Sequence, residues 1–406
     1  MNASPEEQLE NLMFGLEFGD ADLERTMREE LRRKLTESAE SGVPLRAYCG
    51  YDPSRPDIHI GHSLTMRKLR QFQDYGHTAI FLIGSFTAQV GDTSDKASGR
   101  PQKTSEEVMA AAKSYADQAF RILDREKTEV VYNGDWLSKM SLSDAVNLAS
   151  SFTVQQFLVR DAYKKRLDAG NPIGLHEFFY ALFQGYDAVH LRADVQLGAS
   201  EQRFNILAGR KLQASRGQRP STCLLTPILV GTDGVQRMSK STGNLIGVAE
   251  PPTEQFGKAM SISDETMRQW LPLVTRFGPK LCGELLGELE AGTLHPMELK
   301  KRLATEIVAQ YHGEEAGAQA RAGFESQHQK GNLPAEIPEH AFNGPIGVID
   351  LLATTKLASS KSEARRLIQG GGVKLDGEPV RAIDATIDAP CLVQVGKRRF
   401  LRLIGD

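Results

Sequence analysis

The sequence predicts an α/β protein built on a parallel sheet, followed by an all-helical segment and a small basic α+β unit. Three observations lead there. From Leu45 onward, short apolar runs alternate with helical patterns, as in a parallel sheet layered with helices. Pro251-Pro252 ends that alternation, and residues 253–330 carry only helical periodicity. Pro334, Pro338 and Pro345 then mark a linker over 331–345, before a last unit at 346–406.

The elements follow in order. Residues 1–40 read as an N-terminal helical arm, with Ser4 placed to cap a helix that begins Pro5-Glu6-Glu7. Its later half, 22–34, is densely charged. The α/β part spans 41–250, with strand-like runs at 45–51, 79–84, 129–132, 193–198 and 223–231. A helix over 106–123 follows the capping box Thr104-x-x-Glu107. The helical segment at 251–330 includes strong patterns at 267–273 and 297–311. In the last unit Ser359-Ser360 precedes the basic helix 361–368, and a Gly370-Gly371-Gly372 turn leads to the strand 373–375. Ligands of such parallel sheets gather at the carboxyl ends of the strands.

Composition excludes several classes. A chain of 406 residues with 40% hydrophobic residues supports two or three ordinary domains. The formal net charge is −3, so any nucleic-acid contact must come from a local patch. Residues 356–406 supply one, with ten Lys and Arg against six Asp and Glu. Cys49, Cys223, Cys282 and Cys391 lack C-x-x-C spacing, which argues against a zinc site or disulfide framework and fits a reducing cytoplasm. Residues 1–19 hold Glu6, Glu7, Glu10 and Glu17 without Lys or Arg, so neither a signal nor a transit peptide is expected. No apolar run reaches membrane-spanning length, so no membrane partner is expected.

Two short motifs carry the chemistry. The first, Asp57-Ile58-His59-Ile60-Gly61-His62, lies between a strand-like run and a helical one. A helix start offers N–H groups and partial positive charge, Gly61 lets a flat base lie close, and His59 and His62 can donate to phosphate oxygens. The second, Arg237-Met238-Ser239-Lys240-Ser241, reads as a cationic loop. Either string alone is as well explained by solvated residues at a helix cap or a surface loop. Their joint presence, in this order and a domain's length apart, resembles the HIGH and KMSKS signatures of class I aminoacyl-tRNA synthetases, with Arg237 in the first position of the second.

A third group lies on one predicted helix. Tyr180, Gln184 and Asp187 recur at i, i+4 and i+7 and share a face among Phe178, Phe179, Leu182 and Phe183. Each alone reads as part of a polar stripe over an aromatic core. Together they resemble the Tyr-x-x-x-Gln-x-x-Asp stretch of tyrosyl-tRNA synthetases, and Tyr48-Cys49-Gly50-Tyr51-Asp52 resembles that family's Tyr-Cys-Gly-Phe-Asp. The resemblance runs from about Tyr48 to Asp406.

It implies a Rossmann-like catalytic domain with a dimerisation insertion, an anticodon-side helical domain, and a C-terminal S4-like RNA-binding domain. Tyr48 and Asp187 would meet the phenolic hydroxyl of tyrosine. Asp92, Tyr180 and Gln184 would receive its ammonium, with Gln202 beside them. Gly50, Asp52, His59, Gly61, His62, Glu201, Lys240 and Ser241 would bind ATP. Ser54, His59, His62, Lys96, Arg100, Arg237 and Lys240 would stabilise the departing phosphates. Lys361, Arg365, Arg366 and Lys374 would touch tRNA, in a bacterial-type homodimer. Mg2+ would arrive with ATP, since no protein metal cage is visible. The chain departs from the family pattern at Glu201, where Asp is usual, at Ser54, where Thr is usual, and at Arg237 in place of Lys. Tryptophan-specific enzymes share the catalytic fold but lack the Tyr-plus-Asp pair and the tail. The rival of another class is a non-catalytic RNA-binding relative, supported by Glu201 alone; an amino-acid activator that does not use tRNA is disfavoured by the basic tail.

Overall fold

A computed structural model describes residues 3–53, 58–92, 104–328, 337–342, 344–396 and 399–405. Residues 1–321 form one compact unit and 322–406 a second.

Five parallel strands make the core of the first unit: β1 (Arg46–Tyr51), β2 (Thr78–Ile83), β3 (Thr128–Tyr132), β4 (Val195–Ala199) and β5 (Thr222–Thr226). Their order is β3-β2-β1-β4-β5. The chain runs outward from β1 to β3 and then returns to β4, so the direction of winding switches beside β1. Such a switch opens a crevice at the carboxyl ends of the strands, where ligands of these sheets bind. β1 is covered on both faces, with Ala47, Tyr48 and Cys49 buried, and β5 is buried throughout. That burial explains the continuous apolar runs. The run expected at 223–231 ends as a strand at Thr226, because Pro227 offers no N–H to continue the ladder.

The N-terminal residues do not form a separate arm. Ser4 caps Pro5–Met13 as expected, accepting from Glu7 N, and Asp20 caps Ala21–Ser41. Both helices bury apolar stripes, including Leu9, Leu12, Met27 and Leu31. Lys34 Nζ donates to the carbonyls of Asp194 (2.7 Å) and Pro220 (2.8 Å), at the entrances of β4 and β5. Burial lowers its pKa to about 8. The charge density of 22–34 hid this stripe, because only one helical face meets the sheet.

The helical segment comprises Pro252–Met260, Asp264–Val274, Pro279–Glu290, Pro296–His312 and Glu314–His328. Trp270, Leu271, Leu303 and Ile307 form its interior.

In the second unit, β6 (Glu339–Phe342) joins an edge of a sheet ordered β6-β12-β11-β8-β9. Its other members are β8 (Val373–Leu375), β9 (Glu378–Pro379), β11 (Leu392–Val395) and β12 (Arg399–Gly405). A two-stranded pair joins β7 (Ile346–Gly347) to β10 (Thr386–Ile387). Part of the stretch expected as linker is thus a strand, paired in parallel with β12; residues 331–336 of it lie outside the described residues. The helices Val348–Thr354 and Lys361–Gln369 pack Leu351, Leu352, Ala364 and Ile368 against Val373, Val393 and Leu403.

Candidate active site

The first motif begins the helix Ile60–Asp74. His59 is its N-cap, and its Nδ1 accepts from Gly61 N at 3.2 Å. His62 Nδ1 accepts from His59 N at 3.5 Å. The two rings stack with centroids 3.8 Å apart. Burial, and secondarily the neighbouring His62, lower the His59 pKa to about 3, so His59 is neutral near pH 7. With its Nδ1 accepting, neutral His59 carries its proton on Nε2, the tautomer that can donate to a phosphate oxygen. A Cβ at Gly61 would come within 3.0 Å of the His59 ring, which explains the glycine between the histidines.

Backbone pairing ties the stretch that follows the second motif to the first. Ile60 N donates to Ile246 O and Val248 N to Ile58 O, each at 2.9 Å, around a bridge between His59 and Gly247. The cationic loop starts at a bridge between Val230 and Arg237. Asn244, 5% exposed, holds it closed: its Oδ1 accepts from Ser239 N (2.9 Å) and Thr242 Oγ1 (2.6 Å), and its Nδ2 donates to Asp233 Oδ2 (2.8 Å). Lys240 and Ser241 are exposed on this loop. Arg237 lies 3.7 Å from Glu201 in an ion pair, so the departures at 201 and 237 face each other.

The third group sits on the helix Leu175–Leu191. Its start is fixed by Glu177, which accepts from Gly174 N and forms a buried 2.5 Å ion pair with Arg166. Asp187 is 2% exposed and accepts from Asn133 Nδ2 (3.1 Å) and Trp136 Nε1 (2.9 Å). Burial outweighs those two donors and raises its pKa to about 8. Tyr48 OH donates to Gln196 Oε1 at 2.9 Å. Its pKa rises well above normal, through burial first and the charge of Asp187 second.

The expected pairings differ in detail. Tyr48 and Asp187 are both present in the buried wall, yet the hydrogen bonds above take them to other partners. Tyr180 OH donates to Asp52 Oδ2 at 2.9 Å, joining a residue expected at the ammonium to one expected at ATP. Asp52 Oδ1 accepts from Thr87 Oγ1 (2.8 Å), whose oxygen also accepts from Asn133 Nδ2 (3.0 Å). One network therefore runs from Tyr180 through Asp52, Thr87 and Asn133 to Asp187. Asp92 accepts from Gln202 Nε2 at 2.7 Å. Gln184 and Gln202 meet through Asn205, whose Nδ2 donates to Gln184 Oε1 (3.1 Å) and Gln202 Oε1 (2.9 Å). Gly50 is exposed at the end of β1. Ser54, Lys96 and Arg100 lie outside the described residues.

Sequence reasoning missed Asn133, Trp136, Asn205, Asn244 and Gly84. A Cβ at Gly84 would collide with Asp52 and Thr87. None sits in a motif; the signal for the asparagines is burial, which a single sequence does not display.

On the second unit, Ser360 caps Lys361–Gln369 and accepts from Glu363 N at 3.2 Å. Ala364 and Ile368 turn inward, and Arg365 and Arg366 are exposed. Lys361 pairs with Asp350 at 2.6 Å, and Lys374 is exposed on β8.

Residues 40–329 match the family described as tRNA synthetases class I (W and Y), and 348–384 match the S4 domain. A tyrosine–tRNA ligase of Desulfotalea psychrophila is 46% identical, over 93% of this chain and 94% of that protein. One of Haemophilus influenzae is 45% identical, over 94% and 96%. The tyrosyl-tRNA synthetase of Archaeoglobus fulgidus, solved with L-tyrosine, superposes with a TM-score of 0.59 at 26% identity, over 78% of this chain and 99% of that one. The Aspergillus nidulans mitochondrial enzyme, at 22% identity and a TM-score of 0.64, over 80% of this chain and 94% of that one, shares the fold. The pairing of the first signature motif with the stretch that follows the second, a buried tyrosine-and-aspartate wall and relatives matched over more than nine-tenths of the chain agree: the chain belongs to the class I tRNA synthetase family, in the branch of the tyrosine–tRNA ligases.

Proposed function

We propose that this chain activates L-tyrosine with ATP and transfers the tyrosyl group to the 3′ end of tRNA(Tyr). The observation that carries the reading is the buried Asp187, held by Asn133 and Trp136 beside Tyr48. A buried acceptor of that kind suits a phenolic hydroxyl and leaves phenylalanine with polar groups it cannot satisfy.

In this reading the tyrosine carboxylate attacks the α-phosphorus of ATP and pyrophosphate leaves. No side chain serves as nucleophile; the rate comes from positioning and from charge aimed at the transition state. The Nε2–H groups of His59 and His62 donate to phosphate oxygens. Lys240 and Arg237 supply charge from the second motif, with Lys96, Arg100 and Ser54 as further phosphate ligands. Tyr180, Asp92 and Gln184 take the ammonium, Gln202 lies beside them, and Gly50, Asp52, Gly61, Glu201 and Ser241 line the ATP side. Mg2+ would come with ATP as part of the substrate and would supply further positive charge toward the departing pyrophosphate. Lys361, Arg365, Arg366 and Lys374 contact the tRNA backbone, as suits a basic helix followed by a strand. The cytoplasm, where these substrates meet, is the proposed compartment.

A homodimer is part of the proposal. Leu142 (82% exposed), Val159 (73%) and Leu175 (77%), with Val146, Val154 and Leu167, leave the segment before and at the start of the Asp187 helix apolar toward solvent. Val159→Asp is expected to shift the protein from dimer to monomer in sedimentation velocity; an unchanged mass would remove this face from the interface.

Tyrosine-dependent exchange of pyrophosphate into ATP, without tRNA and beside phenylalanine and tryptophan, tests the activity. Exchange with tyrosine alone is expected. Exchange with none of the three would favour a non-catalytic RNA-binding protein.

A further inference from the structure

The helix Ile60–Asp74 is gripped from behind by the helical segment. Tyr311, on the helix Pro296–His312, lies 2.8 Å from Ser63, hydroxyl to hydroxyl. Ser63 Oγ donates in turn to Ile60 O at 2.8 Å. A hydroxyl has one proton, and that of Ser63 is committed to Ile60, so Tyr311 is the donor to Ser63. Both residues are buried, Ser63 completely and Tyr311 to 5% exposure, and burial raises the Tyr311 pKa, which keeps its proton in place. Ile60 N then donates to Ile246 O. One hydrogen-bonded line therefore runs from the helical segment, through the first turn bearing the histidines, to the strand-like stretch leaving the second motif.

Two other contacts grip the same region. One turn beyond Ser63, Arg67 donates to the carbonyls of Leu273 and Thr275. Trp270 Nε1 donates to Val230 O at 3.2 Å, at the bridge that opens the cationic loop. Both signature motifs are thus anchored on the helices Asp264–Val274 and Pro296–His312, which carry none of the ligand-facing residues named above.

We propose that Tyr311 is a positioning residue for adenylation, its hydroxyl acting through Ser63 to hold the turn that aims His59 and His62. The inference rests on the assignment of those histidines to the ATP phosphates. It makes the helical segment a determinant of the first chemical step as well as a neighbour of it.

Tyr311→Phe removes the hydroxyl and keeps the ring, and Ser63→Ala removes the relay oxygen. Each variant is expected to lower the saturated rate of pyrophosphate exchange about 3- to 10-fold, the range of one hydrogen bond. The KM for tyrosine stays unchanged. The double variant falls no further than Ser63→Ala, since the two groups act in one line. Amide hydrogen exchange at residues 60–64 is expected to quicken in Tyr311→Phe, while that of β1 and β2 stays as slow as in the parent. An unaltered rate in both folded variants overturns the positioning role, even if the amides loosen. Unaltered amide protection overturns the relay itself. A parent protein without tyrosine-dependent exchange would sink the functional reading instead, and the amide measurement would still decide whether Tyr311 holds the turn.

Discussion

At the proposed amino-acid end of the site, Asp187 is 2% exposed and held by two donors, Asn133 and Trp136, from the single turn that follows β3. At the proposed phosphate end, the Arg237 side chain is 56% exposed and Lys240 stands on an exposed loop. One end is a finished, desolvated wall and the other a set of cations reachable from solvent. In the proposed function the difference follows from what each end must do. Discrimination between a phenol and a benzene ring needs polar groups already buried, so that the wrong ligand leaves them unsatisfied. Stabilising a departing pyrophosphate needs charge that can close on the ligand and later release it.

The largest expected effect lies at the open end. Lys240→Ala should slow adenylation by about 10² to 10³, the usual loss on removing one group aimed at transition-state charge. Tyrosine affinity should stay within a factor of about two. Equilibrium binding of tyrosine beside exchange kinetics checks this; a collapse of affinity would erase the division between the two ends.

Asp187→Ala comes next. Removing the carboxylate should cut the preference for tyrosine over phenylalanine by about 10- to 100-fold, the worth of a hydrogen bond to a charged group. It also leaves Asn133 Nδ2 and Trp136 Nε1 without this acceptor, so the melting temperature should fall. Competition between the two amino acids in pyrophosphate exchange reads the preference directly. Unchanged discrimination would move the phenol site elsewhere.

Trp136→Phe sharpens the same point more gently. It keeps an aromatic ring against His190 but deletes the Nε1 donor to Asp187. The KM for tyrosine is expected to rise about 5- to 10-fold with the saturated rate little altered. A loss of rate at constant KM would show that Trp136 serves the phosphate end.

The smallest effect is a proton. With its pKa raised to about 8, Asp187 keeps its proton at pH 7 in the empty site. A phenol donating to it favours the carboxylate, so tyrosine binding at pH 7 should release up to about one proton per site, and less near pH 9, where the group is already ionised. For folding the sign is opposite to that of an ion-paired aspartate. A raised pKa means the folded state holds a proton the unfolded chain has lost, so this group's contribution is present below pH 3.8 and fades as pH rises through about 8. His59 behaves in the other direction: its contribution is present above pH 6.5 and is lost as pH falls toward 3. Binding enthalpies in buffers of different ionisation heat measure the proton release. Equal release by Asp187→Asn would assign the proton to another group.

By itself the sequence determined the kind of protein. The alternation of apolar runs and helical patterns marked the parallel sheet, because strands buried on both faces must be apolar throughout. The helix bearing Tyr180, Gln184 and Asp187 was legible because three polar residues at helical spacing fall on one face whatever surrounds them. His59-Ile60-Gly61-His62 was legible because caps and glycines act within a turn. What the tertiary structure alone decided depends on neighbours distant in the chain. Only folding pairs residues 58–60 with 246–248, sets Asn133 and Trp136 on Asp187, seats Lys34 on the carbonyls of Asp194 and Pro220, and places Asn205 between Gln184 and Gln202. A hydrogen bond between such positions leaves no periodicity behind, and a pKa moved by burial depends on every group that excludes water from it.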